Sequence, residues 1–211
     1  MHPASSPGLR RTPVQDRSAA RVQRMLDAAA SLLDEVGYEA TTTSLIAARA
    51  GVSVGSLYQF FPDRRAVLKA LAVRSFSRFS DLLADRLTAT PMARWEDAVG
   101  VVVDVYLAFS RSEPAARVLS FGGPIDSHAL DAEADNNAVV ADALGSVLTE
   151  TVLPGLELDD RLRLALRVAV EAGDRVLELA VRRAPEGDPE VVEQAKQLLV
   201  AYLSGYLPPT V

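Results

Sequence analysis

Two stretches of this 211-residue sequence carry side chains whose types and spacing could do chemistry. The first is "GVSVGSLYQFF", residues 51–61, with hydroxyls at Ser53, Ser56 and Tyr58, an amide at Gln59, two glycines and no charge. Such groups hydrogen-bond at short range and do not titrate near neutral pH, so they suit recognition rather than acid–base work. The second is Glu171, Asp174 and Glu178, spaced i, i+3 and i+7, one face of a helix. Helical bundles hold metal ions on carboxylates of this kind, but such sites also use Glu-x-x-His pairs. The two histidines, His2 and His128, lie elsewhere. There is no cysteine, which removes disulfides, thiol catalysis and cysteine-ligated zinc. No P-loop, GxSxG, HExxH or dinucleotide fingerprint is present. The chain reads as neither an enzyme nor a holder of metal or cofactor.

Helical periodicity runs through the sequence. Residues 1–15 hold three prolines and no hydrophobic period and read as a disordered arm, in which Arg10 and Arg11 could touch a phosphate backbone. From Asp16 or Ser18, apolar residues from Val22 to Val36 recur at three and four residue steps up to Gly37. Thr42 or Thr43 can cap a short helix over Ser44–Ala50, stopped by Gly51. Ser53 caps a second over Val54–Phe60, ended by Pro62, and Asp63 caps a long one. Thr90-Pro91 opens a helix to Arg111. Others are expected from Pro114 to before Gly122, from Asp126 or Ser127 to Leu153, from Asp159 to Arg183, and from Asp188-Pro189 to Leu207. That makes nine helices. No segment alternates with period two, so the expected class is all-α.

Composition bounds the rest. Hydrophobic residues make up 49% and charged residues 24%, as in a soluble globular protein. No apolar run reaches the roughly 18 residues of a membrane span, and the N-terminus lacks a secretory apolar region, so a cytoplasmic protein without membrane contact is expected. Charge is uneven. Residues 1–75 hold ten Lys/Arg against six Asp/Glu, while the remainder holds 12 against 22. A basic first third on an acidic body suggests that only the first third meets a polyanion.

Two short helices joined by "AGVS" have the form of a helix-turn-helix. Leu57 buries the second helix, leaving Ser53, Val54, Ser56 and Gln59 free, with Gly55 allowing close backbone approach. Small groups at the N-terminal end let a helix enter the DNA major groove, about 12 Å wide. The longer string "TTTSLIAARAGVSVGSLYQFFPDRRAVLKAL" then resembles the DNA-binding region of the TetR family of bacterial transcriptional regulators. That family's pattern is met at Gly37, Tyr38, Thr42, Ile46, Ala47, Ala50, Gly51, Val52, Ser53, Gly55, Leu57, Tyr58, Phe61 and Arg64. Phe60 stands where the family often has His or Tyr, and Leu45 where it often has an acidic residue.

The resemblance implies a helix-turn-helix DNA-binding domain over residues 16–62 and a helical ligand-binding and dimerisation domain over 63–211. It implies that Thr43, Ser44 and Ser53 contact the backbone of a double-stranded, palindromic operator, that Val54, Gly55, Ser56 and Gln59 face base edges, and that Tyr58 and Arg64 reach phosphates. Arg49 and Arg65 are open between phosphate contact and solvation. The resemblance also implies a homodimer through the last two helices. Leu162, Leu166, Ala169, Gly173, Val176, Leu177 and Ala180, with Val192, Ala195, Leu199, Tyr202 and Tyr206, form stripes that suit either a partner or the subunit's own core. Finally it implies an effector pocket, for which Phe76, Phe79, Trp95, Tyr106, Phe109 and Phe121 supply apolar walls. Asn136, Asn137, Glu171, Asp174 and Glu178 supply polar contacts, with Glu171 placed to pair with Arg175. The expected function is a repressor released from its operator by a small apolar or amphipathic molecule. Two rivals are an enzyme and a protein-interaction module.

Overall fold

The computed structural model describes residues 13–113 and 136–209. Among these residues there are eight α-helices, one π-helical turn and no strand. The chain divides into two compact units between Leu71 and Ala72. The division falls beyond residue 62, the boundary that the family resemblance implies; Val67, Leu68 and Leu71 are buried before it, and the opening turns of the long helix are grouped with the first unit. Arg10, Arg11, His2, His128, Phe121 and the helix expected from Pro114 lie outside the described residues.

In the N-terminal unit α1 spans Pro13–Ala40. It starts earlier than the expected caps at Asp16 or Ser18, with a proline whose fixed φ suits a first turn. Its inward stripe, Met25, Leu26, Ala29, Leu32 and Leu33, is buried. The helix breaks at Gly37, where φ is 78° and ψ is 177°. Thr41, fully buried, closes the break by donating its hydroxyl to the Gly37 carbonyl at 2.7 Å. Helix α2 covers Thr43–Arg49 and is capped by Thr42, whose Oγ1 accepts from the Leu45 amide. Helix α3 covers Val54–Tyr58 and is capped by Ser53, whose Oγ accepts from the Ser56 amide at 3.1 Å. It is shorter than the expected run to Phe60. Between them Gly51 takes a left-handed φ of 66°, which reverses the chain within three residues. Ile46, Ala47 and Leu57 are fully buried, so each short helix is pinned by its apolar side.

Helix α4 runs Arg64–Ala89, and Asp63 Oδ1 accepts from the Ala66 amide at its start. In the C-terminal unit α5 spans Trp95–Ser112, not from Thr90-Pro91. The Asp97 carboxylate reaches back to the amides of Ala93 and Arg94 at 3.1 and 3.0 Å, and this fixes the start four residues later. Helix α6 covers Asn136–Val147 and continues as a π-helical turn over Leu148–Val152. Helix α7 is Asp160–Arg183, capped by Asp159, and α8 is Pro189–Leu203, capped by Asp188. The regular helix ends at Leu203, and one further turn, closed by the Leu207 amide on the Leu203 carbonyl at 2.9 Å, carries Leu207 into the core. The apolar stripes of α7 and α8 turn inward. Leu162, Leu166, Ala169, Gly173, Leu177 and Ala180, with Ala195 and Leu199, are buried in this unit's own core, and Val176, Val192, Tyr202 and Tyr206 pack partly buried against it. The apolar residues exposed on these helices are others: Leu164, Val168, Leu179 and Leu198. No described helix is long and apolar enough to cross a membrane.

Nothing lies within 4 Å of a Cβ placed on Gly51, so an added methyl meets no neighbour and acts through backbone strain alone. Gly51→Ala is expected to destabilise the N-terminal unit by about 1–2 kcal/mol, and Gly51→Asn by less, because Asn tolerates the left-handed region. Thermal melts followed by circular dichroism check the order wild type, Asn, Ala.

Candidate functional site

Two features stand apart from packing, one in each unit. The first is the outer face of α3. Leu57 points into the core while Ser53, Val54, Gly55, Tyr58 and Gln59 are exposed and Ser56 is half-buried. The alternation follows from a five-residue helix anchored by one side chain. Tyr58 is 51% exposed, and its hydroxyl lies 3.3 Å from Thr43 Oγ1 at the start of α2. Ser44 is exposed beside it. Ser53 uses its oxygen as a cap acceptor and keeps its proton to donate outward. One surface therefore gathers eight of the nine residues assigned to nucleic acid.

Arg64 is the ninth, and the structure gives it other work. Its Nη1 donates to the carbonyls of Tyr38 and Thr41 at 3.2 Å and of Glu39 at 3.4 Å. Its guanidinium also lies over the Tyr38 ring, 4.6 Å from the centroid. The break at Gly37 interrupts the regular bonding of α1, and the half-buried Arg64 cation adds donors to the carbonyls of the α1–α2 connection. Arg49 also has a partner within the unit: its two Nη atoms grip Glu35 of α1, both at 2.7 Å. That pairing lowers the Glu35 pKa, mainly through the hydrogen bond. Neither arginine's partner could be read from local spacing.

The second feature is a cavity in the C-terminal unit. It holds about 830 Å³ of space between atoms, part of it continuous with solvent. Phe79 of α4, Trp95 and Tyr106 of α5, and Asn137 of α6 line it, as expected of them. So does Asp174 of α7, beside Gly173 and across from Leu199 of α8. The remaining wall is aliphatic. The Trp95 indole donates to the Pro208 carbonyl at 3.0 Å, which ties the start of α5 to the segment after α8.

Four expected lining residues, Phe109, Phe76, Glu171 and Glu178, do not line it. Phe109 stands behind Phe79, edge to face with centroids 5.5 Å apart, and Phe76 packs partly buried against the same α4–α5 cluster. Glu171 is exposed, since its place on α7 falls outside the arc of Ala169, Val170, Gly173 and Leu177 that faces the cavity. Arg175 does not serve Glu171 either: it pairs with Glu178 at 2.6 Å, and Glu178 is also 3.4 Å from Arg182. The Asn136 side chain lies outside the described residues. Among the described residues no three His, Cys, Asp or Glu are grouped to hold a metal.

Asp174 is the exceptional group. It is 9% exposed. Burial, then the Glu178 charge, with a smaller push from Glu171, raise its pKa to about 7 against the opposing pull of Arg175. Burial and Asp174 likewise push the Tyr106 hydroxyl up.

The first unit is a helix-turn-helix and the second an all-helical body with an apolar cavity, the make-up of a DNA-binding regulator with a separate ligand-type unit. Family comparison agrees. Residues 25–71 match the model for bacterial regulatory proteins of the tetR family, and residues 93–207 match that for tetracyclin repressor-like C-terminal domains. A TetR-family transcriptional regulator from Streptomyces coelicolor has 39% sequence identity and a TM-score of 0.72, with 89% of this chain and 99% of that one covered. The HTH-type transcriptional repressor KstR of Mycobacterium tuberculosis is 40% identical over 83 residues, 38% of this chain and 37% of that protein. The HTH-type transcriptional regulator BetI of Escherichia coli is 33% identical over 84 residues, 40% of this chain and 43% of that one. The chain thus spans about two fifths of the length of these curated relatives. It belongs to the TetR family of bacterial transcriptional regulators. The relatives that define the family here are regulators, not enzymes.

The raised Asp174 pKa has a definite sign. A carboxyl that holds its proton more tightly when folded makes stability fall as pH rises from its ordinary 3.8 through about 7. Asp174→Asn removes that loss. The variant is expected to melt above wild type at pH 8 and to converge with it below about pH 4 in calorimetric scans.

Proposed function

We propose that this chain is a ligand-responsive repressor that binds a palindromic operator as a homodimer and leaves it when an apolar or amphipathic molecule enters the C-terminal cavity. The observation that carries the reading is the outer face of α3: small, hydroxyl-bearing and exposed, on a helix held from behind by Leu57. A helix so built can approach base edges closely, through Val54, Gly55, Ser56 and Gln59. Thr43, Ser44, Ser53 and Tyr58 flank it as phosphate donors. Arg64 supports the α1–α2 connection behind this face.

One such unit offers too few contacts for tight specific binding, and two copies related by a dyad read two half-sites. The exposed Leu164, Val168 and Leu179 on α7 and Leu198 on α8 are the apolar residues free to meet a second copy. Effector control needs only modest energy: a hundredfold loss of operator affinity corresponds to about 2.7 kcal/mol of differential binding.

Operator selection from genomic fragments, followed by binding at several salt concentrations, tests the reading. Tyr58→Phe is expected to weaken all sequences alike, by about tenfold, and Gln59→Ala to change the preferred bases. An unchanged consensus for Gln59→Ala removes the assignment of the base-reading face. Leu164→Glu combined with Leu179→Glu is expected to give monomers by light scattering and to abolish operator binding at concentrations where wild type is dimeric.

A further inference from the structure

The cavity wall is apolar except at a few points, and these are not equivalent. The Trp95 N–H is already bonded to Pro208, and the Tyr106 hydroxyl engages Ser110. Asn137 is neutral. Asp174 is the lining residue with a charged form near neutral pH. It is nine-tenths buried, and among the described residues no group donates a hydrogen bond to it.

A carboxylate kept only for structure is paired, because burying an unpaired charge is costly. A cation is available one residue away, yet Arg175 turns to Glu178 instead. The acceptor is therefore left without a donor at the cavity wall, near Tyr106.

We propose that the cavity selects an apolar effector bearing one protonated amine, seated against the Asp174 carboxylate. The proposal rests on the cavity being the effector site. An ammonium brings the N–H donors that the carboxylate lacks and a charge that low-dielectric walls strengthen. Tyr106 lies close enough to Asp174 to feel its charge, and Phe79 and Trp95 complete the apolar lining for the hydrocarbon part of the effector. Glu178 and Glu171 add negative potential at Asp174, which favours a cation and opposes a carboxylate-bearing ligand. The ionisable groups around Asp174 are Tyr106 of α5 and Glu171, Arg175 and Glu178 of α7; the lining residues of α4, α6 and α8 carry none. Near neutral pH part of the empty protein holds a proton on Asp174. Seating the ammonium drives that proton to solvent: carboxylic acid and alkylammonium become a carboxylate–ammonium pair plus one released proton.

The test is titration calorimetry of the full chain with dodecylamine, dodecanol and dodecanoate below their micellar concentrations. Each is measured at pH 7 in two buffers of different ionisation enthalpy, on wild type and Asp174→Asn. Dodecylamine is expected to bind wild type about tenfold more tightly than dodecanol and to release protons. Asp174→Asn should lose that advantage and the proton release, while dodecanol binding stays within about twofold. The buffer dependence in wild type decides the matter even if the variant fails to fold. Equal affinities for amine and alcohol without proton release, or tightest binding of dodecanoate, overturn the proposal and leave the cavity as an apolar effector site. Failure of all three compounds to bind overturns the cavity reading and this inference with it.

Discussion

A helix of five residues does not hold itself together in water: nucleation is unfavourable, and so few backbone bonds cannot repay it. Helix α3 exists because Leu57 is fully buried and Ser53 caps its first turn. Helix α2, seven residues long, depends in the same way on Ile46, Ala47 and Thr42. Helix α2 packs against α1 and α3 against α2, so each short helix takes the surface it needs from a neighbour. This dependence sets the orientation of the outer face of α3, since a short helix with one anchor has one side left over. The α1–α2 connection is held by Thr41, which donates to the Gly37 carbonyl, and by Arg64, which donates to those of Tyr38 and Thr41.

The C-terminal unit answers the opposite problem. Its helices are long, and α7 is buried along most of its inner face. Gly173 lets α8 approach so closely that an added Cβ would sit 3.3 Å from Leu199. Tight contact there offsets the dispersion energy forgone around the cavity. A core of this kind tolerates both an unfilled space and a carboxyl group with a perturbed proton affinity.

The two scales differ in how well they could be read from sequence. Caps at Ser53 and Asp63 and the helix opening at Asp188-Pro189 were legible because each involves neighbours a few residues away, while Thr42 and Thr43 were alike as caps for α2 and Asp159 read as the first helical residue and not as the cap it is. The start of α5 was not: Thr90-Pro91 carries the stronger local signal, and the return of Asp97 to Ala93 and Arg94 overrides it. The exposed face of α3 followed from the place of Leu57 in the helical period. The partners of Arg49 and Arg64 sit 14 and 23 to 26 residues away, beyond any periodic pattern. In the cavity, period shows that Phe79, Trp95, Tyr106 and Phe109 face inward. It does not show whether an inward ring meets space or another ring, and this is where Phe109 and Phe79 part. Similarly, three acidic residues on one helix face are alike in sequence, but small differences in angle and different neighbours put Glu171 in water, Glu178 between two arginines and Asp174 at the cavity wall.

Trp95 is the single tryptophan of the chain. It forms part of the cavity wall, and its indole N–H is fixed on Pro208. Indole emission shifts with the polarity around the ring. With one emitter and its hydrogen bond already committed, a change in colour or intensity reports mainly on what lies against the ring face. The protein thus carries its own optical gauge of cavity occupancy, readable without a label.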